Sequence, residues 1–426
     1  MTSVYIRANE NYSAPLLYIL KIYARNKNVV LRFCAQKQEA SAVFDHTDAT
    51  SLPVNTHFFA ELITAGNYQH QNFFRHQPQI FFPESQRPDW LATAFYMINA
   101  FQEYDHSPNS QNQQAGRFSY TDSYQYKFNV IEKNLVQECF DNFEKENPVF
   151  RSPHKTTSPA KIFLSHDMDS IYGSFLQDGL WALKRGRIDV ILRLVFNEIT
   201  GNPHWKNADQ IVKLHSRHDL VSTFFWLATK KRGVNGVKNA DYNIRNLETV
   251  LEKTGSNGLH KSAAGFSFSE ELKMLPFRAR SNRYHFLRFT LPQAWSEIQD
   301  AGLKMDASLG FAERYGFRNN YGQPFRPYNL AEKKPYDFVE VPLNIMDGTM
   351  SRYMKVPLKK TAEHVINFIE KNRVNTLISI LWHNTYFTDY KYGGYLEEYK
   401  KILLYLNETG LGSVSPDEIV NDYLND

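Results

Sequence analysis

Residues 161–169 read KIFLSHDMD, a short apolar run that ends in two carboxylates, and this stretch decides the fold. An apolar run of this length next to polar turn residues predicts a buried β-strand. Similar runs recur downstream, at 221–227 (VSTFFWL), 338–345 (FVEVPLNI) and 377–382 (LISILW). Segments with helical spacing, such as 291–301, separate these runs. The alternation of strands and helices predicts an α/β fold with a largely parallel sheet or barrel.

The region before this stretch has a different pattern and no motif that chemistry alone explains. Residues 147–160 read NPVFRSPHKTTSPA, with three prolines and no periodicity, which predicts an interdomain linker. We therefore predict a smaller α/β domain over 1–158 and a second domain over 159–426. In the first, we predict helices at 16–24 and 90–101, strands at 29–33 and 79–82, and a polar loop at 106–116.

The composition excludes several classes of protein. The 426 residues are 42% hydrophobic and 22% charged with a net charge of +4, which is ordinary for a globular protein and too weakly basic to predict nucleic-acid binding. Only Cys34 and Cys139 are present, so a cysteine-rich zinc cluster is excluded, and two buried thiols are favoured over one disulfide.

The beginning of the chain also bears on location. It has no signal-peptide pattern, and no segment of the sequence reaches the roughly 18 apolar residues of a membrane span. We predict a cytoplasmic protein without a membrane span.

Acidic and histidine residues follow several of the predicted strands. Asp167 and Asp169 follow the first strand, Asp347 and His383 follow two later ones, and His260 follows a short segment on a loop before a helix. In parallel α/β folds the site lies at the carboxyl ends of the strands. Two ionised carboxylates at one strand end require a compensating cation, which a divalent metal supplies. The alternatives are a pair of exposed loop acids and a histidine that is hydrogen-bonded in the core.

Seven stretches resemble one known family in their order. They read SHDMDS (165–170), STFFWL (222–227), GLHKS (258–262), RYHFLRF (283–289), DASLGFAERYGFR (306–318), PLNIMDGTM (342–350) and LWHN (381–384). Together they resemble the NodB-type polysaccharide deacetylases (carbohydrate esterase family 4-like), in a bacterial branch with an additional N-terminal region. PDWLATAFYMINAFQEYD (88–105) and AGRF (115–118) resemble that leading region.

The resemblance implies a distorted (β/α) barrel and metal-dependent removal of N- or O-linked acetyl groups from a saccharide. Matched position by position, it implies that Asp167 is the general base and that Asp169 and His260 bind the metal. It further implies that Arg318 orients the base and that His383 is the general acid. The implied cofactor is a divalent metal, with zinc favoured.

One position departs from the family pattern, because Ala264 stands where a second metal-binding histidine is expected. A zinc site usually has three protein ligands and a water. We predict His285 as the third ligand, with a histidine that bonds a neighbouring loop as the alternative. Arg326 is an alternative to Arg318 as the base-orienting arginine.

Three further residues are expected at the substrate. We predict that Arg283, Asp347 and Trp382 contribute to substrate binding. Asp347 has the alternative of a turn acid before a glycine, and Trp382 has the alternative of a core residue.

The sequence thus predicts a metal-dependent carbohydrate deacetylase that acts in bacterial surface polysaccharide synthesis on a saccharide, with no nucleic-acid partner. A catalytically impaired saccharide-binding or scaffold protein is the alternative that Ala264 suggests. A metal hydrolase that acts on a small amide is a third interpretation. The sugar, the linkage and the oligomeric state are left open.

Overall fold

The computed structural model describes residues 1–54, 56–64, 88–104, 117–151, 157–233, 236–388 and 390–424. The predicted strand at 79–82 and the predicted loop at 106–116 lie outside these ranges, as does part of the predicted linker. Among the described residues, no helix is both long and apolar enough to cross a membrane. The domain boundary near residue 158 and the cytoplasmic location stay predictions.

The first part of the chain forms a small parallel sheet covered by helices. Its three strands lie in the order β2-β1-β3. Aromatic side chains such as Tyr23, Phe143 and Phe150 fill the core beneath them, so the start of the predicted linker packs into this core rather than lying in solvent. The elements are β1 (Thr2–Ile6), α1 (Ser13–Lys27), β2 (Leu31–Phe33), β3 (Ala42–Phe44), α2 (Thr56–Thr64), α3 (Trp90–Ile98), α4 (Tyr124–Lys127) and α5 (Leu135–Glu146).

The second part is an eight-stranded sheet in which all pairs are parallel, in the order β11-β8-β7-β6-β5-β4-β13-β12. The strands are β4 (Lys161–Met168), β5 (Ser222–Leu227), β6 (Asn257–Lys261), β7 (Ser281–Tyr284), β8 (Met305–Asp306), β11 (Val339–Glu340), β12 (Leu343–Met346) and β13 (Leu377–Leu381). A separate antiparallel pair, β9 (Tyr328–Asn329) and β10 (Lys334–Pro335), lies between β8 and β11.

Helices connect most of these strands, as the alternating sequence pattern predicts. They are α6 (Gly173–Leu183), α7 (Ile188–Ile199), α8 (Ala208–Ser216), α9 (Glu248–Thr254), α10 (Phe268–Met274), α11 (Gln293–Asp300), α12 (Thr361–Lys371), α13 (Tyr395–Glu408) and α14 (Pro416–Leu424). The predicted capping box at the start of α14 is present: the Ser415 N–H donates to the Glu418 carboxylate, and the Glu418 N–H donates to Ser415 Oγ.

The chain itself shows that the sheet is curled. The strands β11 and β12 lie at opposite edges, yet only Val341 and Pro342 separate them in sequence. Three residue steps reach at most about 11 Å, whereas the edges of a flat eight-stranded sheet are about 34 Å apart. The Leu343 N–H also donates to the Leu309 carbonyl at 3.0 Å beyond β8. The sheet therefore closes on itself, which agrees with the predicted (β/α) barrel.

This closure corrects the prediction of a single strand over 338–345. The segment divides into β11 and β12, which belong to opposite edges of the sheet. Pro342, between them, has no N–H to continue a ladder of hydrogen bonds. The approach is so close at Gly310 that a Cβ there would lie 2.4 Å from the Leu343 carbonyl oxygen.

The barrel interior is apolar where the strands begin. Phe163, Phe225, Met305 and Val339 share one cluster there with residues of α14, which covers this end. Because successive side chains of a strand alternate between the two faces, the same interior face of β4 continues through Ser165 to Asp167. The interior thus changes from apolar to polar toward the carboxyl ends of the strands.

Candidate metal centre and catalytic site

The two aspartates lie at the top of the barrel interior. Asp167 is part of β4 and is almost entirely buried, whereas the Asp169 side chain, two residues further, is 28% exposed. Both face the same way because they are two residues apart in extended chain. The predicted pair of aspartates is therefore not a pair of exposed loop acids.

His260 lies in β6 and not on a loop, which corrects the sequence prediction. The loop that we expected at His260 begins after Lys261. The parallel pairing of β6 with β5 and β7 aims the His260 ring into the barrel, where its Nε2 lies 3.3 Å from Asp169 Oδ1 and 3.5 Å from Asp167 Oδ2. The two strands hold this ring in a fixed position next to both carboxylates.

His285 follows β7 directly and joins the same cluster. Its Nε2 lies 3.6 Å from Asp169 Oδ1. One ligand atom from each of Asp169, His260 and His285 lies within 4.8 Å of the other two, so these residues could hold a metal ion. His285 thus offers the third ligand atom of this set, whereas the methyl group of Ala264 cannot bind a metal.

The tautomers of the two histidines follow from their outer partners. His260 Nδ1 lies 2.9 Å from the Arg283 carbonyl oxygen, and a carbonyl only accepts, so Nδ1 must donate. His285 Nδ1 lies 3.0 Å from Asn239 Oδ1, which also accepts from the Ala263 N–H, while the Asn239 amide nitrogen donates to the Lys231 carbonyl. Each neutral ring therefore turns the lone pair of Nε2 toward Asp169.

Two nitrogen lone pairs and a carboxylate oxygen that converge on one point repel each other unless a cation lies between them. Asp169 Oδ1 is buried and accepts no hydrogen bond from the described residues. Burial alone favours the uncharged ring of His260, but Asp167 and Asp169 outweigh it and raise the pKa of His260. The position requires positive charge, and a donor set of two imidazoles and one carboxylate suits Zn²⁺.

The other shifted groups agree with this requirement. Burial alone would raise the pKa of Asp169, but His285 and the neighbouring histidines hold that pKa well below its usual value. Burial lowers the pKa of His285 to about 3, so this ring is neutral at pH 7. A neutral imidazole and an ionised carboxylate are the forms that bind metals.

A buried arginine binds Asp167 as predicted, but this arginine is Arg283 and not Arg318. Arg283 Nη1 donates to Asp167 Oδ1 at 3.1 Å and to Ser165 Oγ at 2.8 Å, and Nε donates to the Ala307 carbonyl at 2.9 Å. The guanidinium is fully buried and lies over the Phe225 ring. We predicted Arg283 as a substrate-binding residue, and this is wrong, because the side chain has no surface on the cavity.

Arg318 cannot orient Asp167, which corrects the prediction made from its place in the motif order. Its Nε and Nη2 donate to the two carboxylate oxygens of Glu103 at 2.8 and 2.6 Å, and its Nη1 donates to the Gly310 carbonyl at 2.7 Å. Arg318 thus binds the first part of the chain to the barrel. The alternative, Arg326, donates to Asp337 near the surface and does not bind Asp167 either.

His383 follows β13 on the other side of the cavity. Its Nδ1 lies 2.7 Å from Asp347 Oδ1, its backbone N–H donates to Asp347 Oδ2 at 2.6 Å, and its Nε2 lies 3.8 Å from Asp169 Oδ2. Burial favours the neutral ring, but the charge of Asp347 outweighs it and raises the pKa of His383 to about 9. The contact with Asp347 therefore favours the positively charged form of the His383 ring.

Two other predicted substrate contacts have different roles. Asp347 is fully buried and binds His383, so it is neither a turn acid nor a surface that touches substrate. Trp382 is fully buried and packs on Tyr399, with ring centroids 4.9 Å apart, so the core alternative is correct. Both residues follow strands as predicted, but neither is part of the cavity lining.

The rim of the cavity contains residues that sequence reasoning missed. The cavity measures about 80 Å³, and its lining includes Asp167, Asp169, the three histidines and a set of aromatic and basic residues. Those additional residues include Arg117, Phe286, Arg352, Tyr353 and Tyr386. Two of them had a signal in the sequence, because Phe286 lies in the quoted stretch RYHFLRF and Arg117 lies in the quoted stretch AGRF.

Phe286 is held in an unusual conformation beside His285. It has a φ of 58°, Leu287 has a φ of 52°, and the Phe286 ring stacks on the His285 ring at 3.8 Å. A left-handed conformation at residues other than glycine costs about 1–3 kcal/mol. Arg117, from the first part of the chain, stabilises this turn by donating to the Phe286 carbonyl at 3.0 Å and to the Tyr353 hydroxyl at 3.1 Å.

Comparison with known proteins gives one family match. A model described as a family of unknown function (DUF7033) matches residues 4–146. No curated protein matches the sequence significantly.

Several solved structures are similar at low levels. A protein assigned as a polysaccharide deacetylase from Mycobacterium smegmatis has 10% identity and a TM-score of 0.40, over 64% of this chain and 93% of that one. A mutant of the peptidoglycan deacetylase PdaC from Bacillus subtilis has 10% identity and a TM-score of 0.28, over 62% and 93%. A 4-α-glucanotransferase from Thermococcus litoralis has 10% identity and a TM-score of 0.33, over 62% and 38%. Similarities this low do not distinguish one activity from another.

Proposed function

We propose that the protein is a metal-dependent deacetylase that hydrolyses an acetyl group on a saccharide. The observation that carries this proposal is that three groups of residues with different chemical roles meet at one small cavity. They are the metal-binding cluster (Asp169, His260 and His285), the carboxylate of Asp167 with Arg283, and the His383 ring with Asp347. The order of the sequence motifs supports the same reaction.

The three units divide the chemistry of hydrolysis between them. Asp169, His260 and His285 would hold a divalent metal such as zinc, which would supply Lewis-acid polarisation of the acetyl carbonyl and a lower pKa for the attacking water. Asp167 accepts a proton from that water through Oδ2, the carboxylate oxygen that Arg283 does not bind. The hydrogen bond from Arg283 holds this carboxylate in position at the cavity.

His383 provides the proton that the reaction needs at its end. Because Asp347 keeps the ring charged and binds Nδ1, the Nε2–H is directed into the cavity. It donates to the leaving nitrogen or oxygen of the sugar when the bond to the acetyl carbon breaks. The products are acetate and a free amine or hydroxyl group.

The rim supports a saccharide rather than a small amide as the substrate. A cavity of about 80 Å³ is of a size for an acetyl group and not for a sugar ring, so the rest of the substrate must lie outside it. Phe286 and Tyr353 are 42% and 46% exposed at the rim, where aromatic faces can pack on a sugar ring. We further propose that the sugar belongs to a bacterial surface polysaccharide, on the basis of the sequence resemblance.

The metal content of variants tests the proposed centre. We expect close to one equivalent of zinc in the wild type by elemental analysis, and a loss of metal in Asp169→Ala, His260→Ala and His285→Ala. His364→Ala is the matched control, because His364 bonds Tyr315 outside the cluster and should leave the metal content unchanged. A wild type that binds no metal after zinc loading would favour the saccharide-binding or scaffold alternative.

Acetate release tests the reaction and the substrate class. Zinc-loaded protein is assayed on N-acetylated chito-oligosaccharides, O-acetylated saccharides and small acetamides. Release from one of the saccharides supports the proposal. Release from the small amides alone would make the protein a metal hydrolase with a different substrate.

A further inference from the structure

The helical hairpin formed by α6 and α7 exposes apolar side chains to an unusual extent. Among the described residues, twenty large apolar side chains are exposed, and ten of them lie between Tyr172 and Ile199. Leu176, Leu183 and Ile199 are 73%, 67% and 80% exposed. Single exposed apolar residues are normal on a protein surface, but a contiguous group marks a binding surface.

The exposed residues form one stripe on each helix. On α6 they recur at helical spacing, and on α7 they do the same. The stripe on α6 is Leu176, Leu180 and Leu183, and the stripe on α7 is Ile188, Leu192, Val195, Phe196 and Ile199. The opposite sides of the two helices pack on the protein through Ala182, Val190 and Leu194, which form one apolar cluster with Tyr390. The hairpin is thus apolar on its inner side and on its outer side.

Basic residues lie beside this outer face, mainly at the turn between the two helices, and the exposed acids of α7 are Asp189 and Glu198. Lys184, Arg185 and Arg187 lie at the turn between the helices, and Arg193 is exposed on α7. Arg187 is paired with Asp189, but Lys184, Arg185 and Arg193 have no carboxylate partner among the described residues. An apolar helical face with unpaired cations beside it is the chemistry that binds the boundary between the acyl chains and the anionic headgroups of a bilayer.

We propose that the outer face of the α6–α7 hairpin is a binding surface for an anionic lipid bilayer. The helices have 11 and 12 residues, which is about 17–18 Å and little more than half of the hydrocarbon core. The hairpin therefore lies in the interface rather than crossing it. A symmetric contact between two copies that sets turn against turn is disfavoured, since it would bring two basic turns into the same interface.

The base of the hairpin is fixed to the candidate catalytic site. Asp241 accepts hydrogen bonds from the backbone N–H groups of Ile171 and Tyr172, directly before α6. Asn384, the neighbour of His383, donates to the Ser170 carbonyl at 2.7 Å. A hairpin docked on a bilayer thus holds the cavity beside the membrane. This consequence rests on the proposed function: the acetylated saccharide is one that a lipid anchor presents at the membrane surface.

Vesicle flotation with the full chain tests the surface directly. We expect the protein to float with vesicles of phosphatidylcholine mixed with phosphatidylglycerol and much less with phosphatidylcholine alone. Leu192→Ser with Ile199→Ser should lower the partition coefficient by more than about tenfold, because both side chains are exposed in the free protein and buried on docking. Leu404→Ser is the matched control, since Leu404 is 49% exposed on α13 outside the hairpin.

A charge variant measures the electrostatic contribution to vesicle binding separately from the apolar contribution. Lys184→Gln with Arg185→Gln should weaken binding to the anionic vesicles by about thirtyfold, since each basic side chain near an anionic surface contributes roughly a fivefold change. Equal binding by the wild type and both hairpin variants would overturn the proposal. So would a wild-type dimer that the Leu192 and Ile199 substitutions convert to a monomer, because a second copy would then cover this face.

These outcomes are independent of the proposed reaction. Asp167→Asn should float as the wild type does even though it releases no acetate. If the wild type binds vesicles but deacetylates no saccharide, the lipid surface stands and the proposed function fails. If it deacetylates soluble saccharides but binds no vesicles, the proposed function stands and the lipid surface fails.

Discussion

Among the residues that the structure describes, two fully buried arginines bind carboxylates, and their surroundings differ in one decisive respect. Arg318 donates to both oxygens of Glu103, so that pair is saturated and has nothing left for another molecule. Arg283 donates to only one oxygen of Asp167 and fixes itself to Ser165 and Ala307, so Asp167 Oδ2 faces the cavity. A saturated pair joins parts of a structure, whereas an unsaturated pair holds a reactive group in position.

Removing the charge of Asp167, the carboxylate of the unsaturated pair, should have the largest effect on catalysis. We expect Asp167→Asn to lower kcat for acetate release by about 10²–10⁴-fold, because general base catalysis contributes that much. The metal content should stay near that of the wild type. The control is Asp337→Asn, which changes an exposed carboxylate elsewhere on the barrel. Full activity in Asp167→Asn would remove Asp167 from the mechanism.

The saturated pair should affect stability instead. We expect Glu103→Gln to lower the free energy of unfolding by about 3–5 kcal/mol, because it leaves the Arg318 guanidinium buried without a countercharge. Denaturant titration measures this loss, and the acetate release per folded molecule should be unchanged. If the rate falls as far as in Asp167→Asn while the fold is intact, then Arg318 acts on the site and the contrast between the two pairs is wrong.

A conservative change at Arg283 sharpens the comparison. We expect Arg283→Lys to lower kcat by about 10–100-fold with a smaller change in KM, because a lysine cannot bind Asp167, Ser165 and Ala307 together and the base shifts by a fraction of an ångström. Stopped or continuous acetate assays give the two constants. A change in KM alone would indicate that Arg283 acts on substrate binding after all.

The smallest expected effect is on the free energy of unfolding. It depends on pH and comes from two buried histidine rings that are neutral. The ring centroids of His166 and His215 lie 5.1 Å apart. Burial lowers the pKa of His166 to about 3 and lowers the pKa of His215 well below its usual value. Both rings stay neutral in the folded protein but take up protons in the unfolded chain below about pH 6.5. Stability is therefore present above that pH and is lost as the pH falls, by about 1.4 kcal/mol per pH unit for each ring.

The variant that isolates this effect is His215→Gln. Between pH 7 and pH 5 it should lose about 1–2 kcal/mol less unfolding free energy than the wild type, since one of the two titrating rings is gone. Denaturant titrations at both pH values measure the difference. Identical losses in the two proteins would mean that His215 is already protonated in the fold.

Much of the barrel and of the reactive set could be predicted from the sequence. Apolar runs followed by Asp167, Asp169 and His383 identify strand ends, because a strand must be apolar where it is buried and polar where it emerges at the site. His285 could be predicted only through the missing ligand at Ala264. In the first part, α1, α3 and β2 could be predicted from the spacing of apolar residues, whereas β1 and β3 were not predicted.

The roles of the two arginines could not be predicted in this way. Both lie near motif residues, and sequence position favoured Arg318. The pairing of β6 with β7 decides the matter, because it places Arg283 opposite His260 and inside the barrel beside β4. Arg117 and Tyr353 lie 236 residues apart and meet at the rim only through the folded chain.

The sequence by itself determined which residue types stand at the strand ends, and hence predicted a site of Asp and His residues that could hold a cation. Only the tertiary structure decided which arginine meets which carboxylate, which side of a strand-end residue faces the cavity, and that α6 and α7 keep a second apolar side outward. The physical reason is that hydrophobic periodicity is a local property of the chain, whereas register, barrel closure and the partner of a buried charge depend on segments distant in sequence.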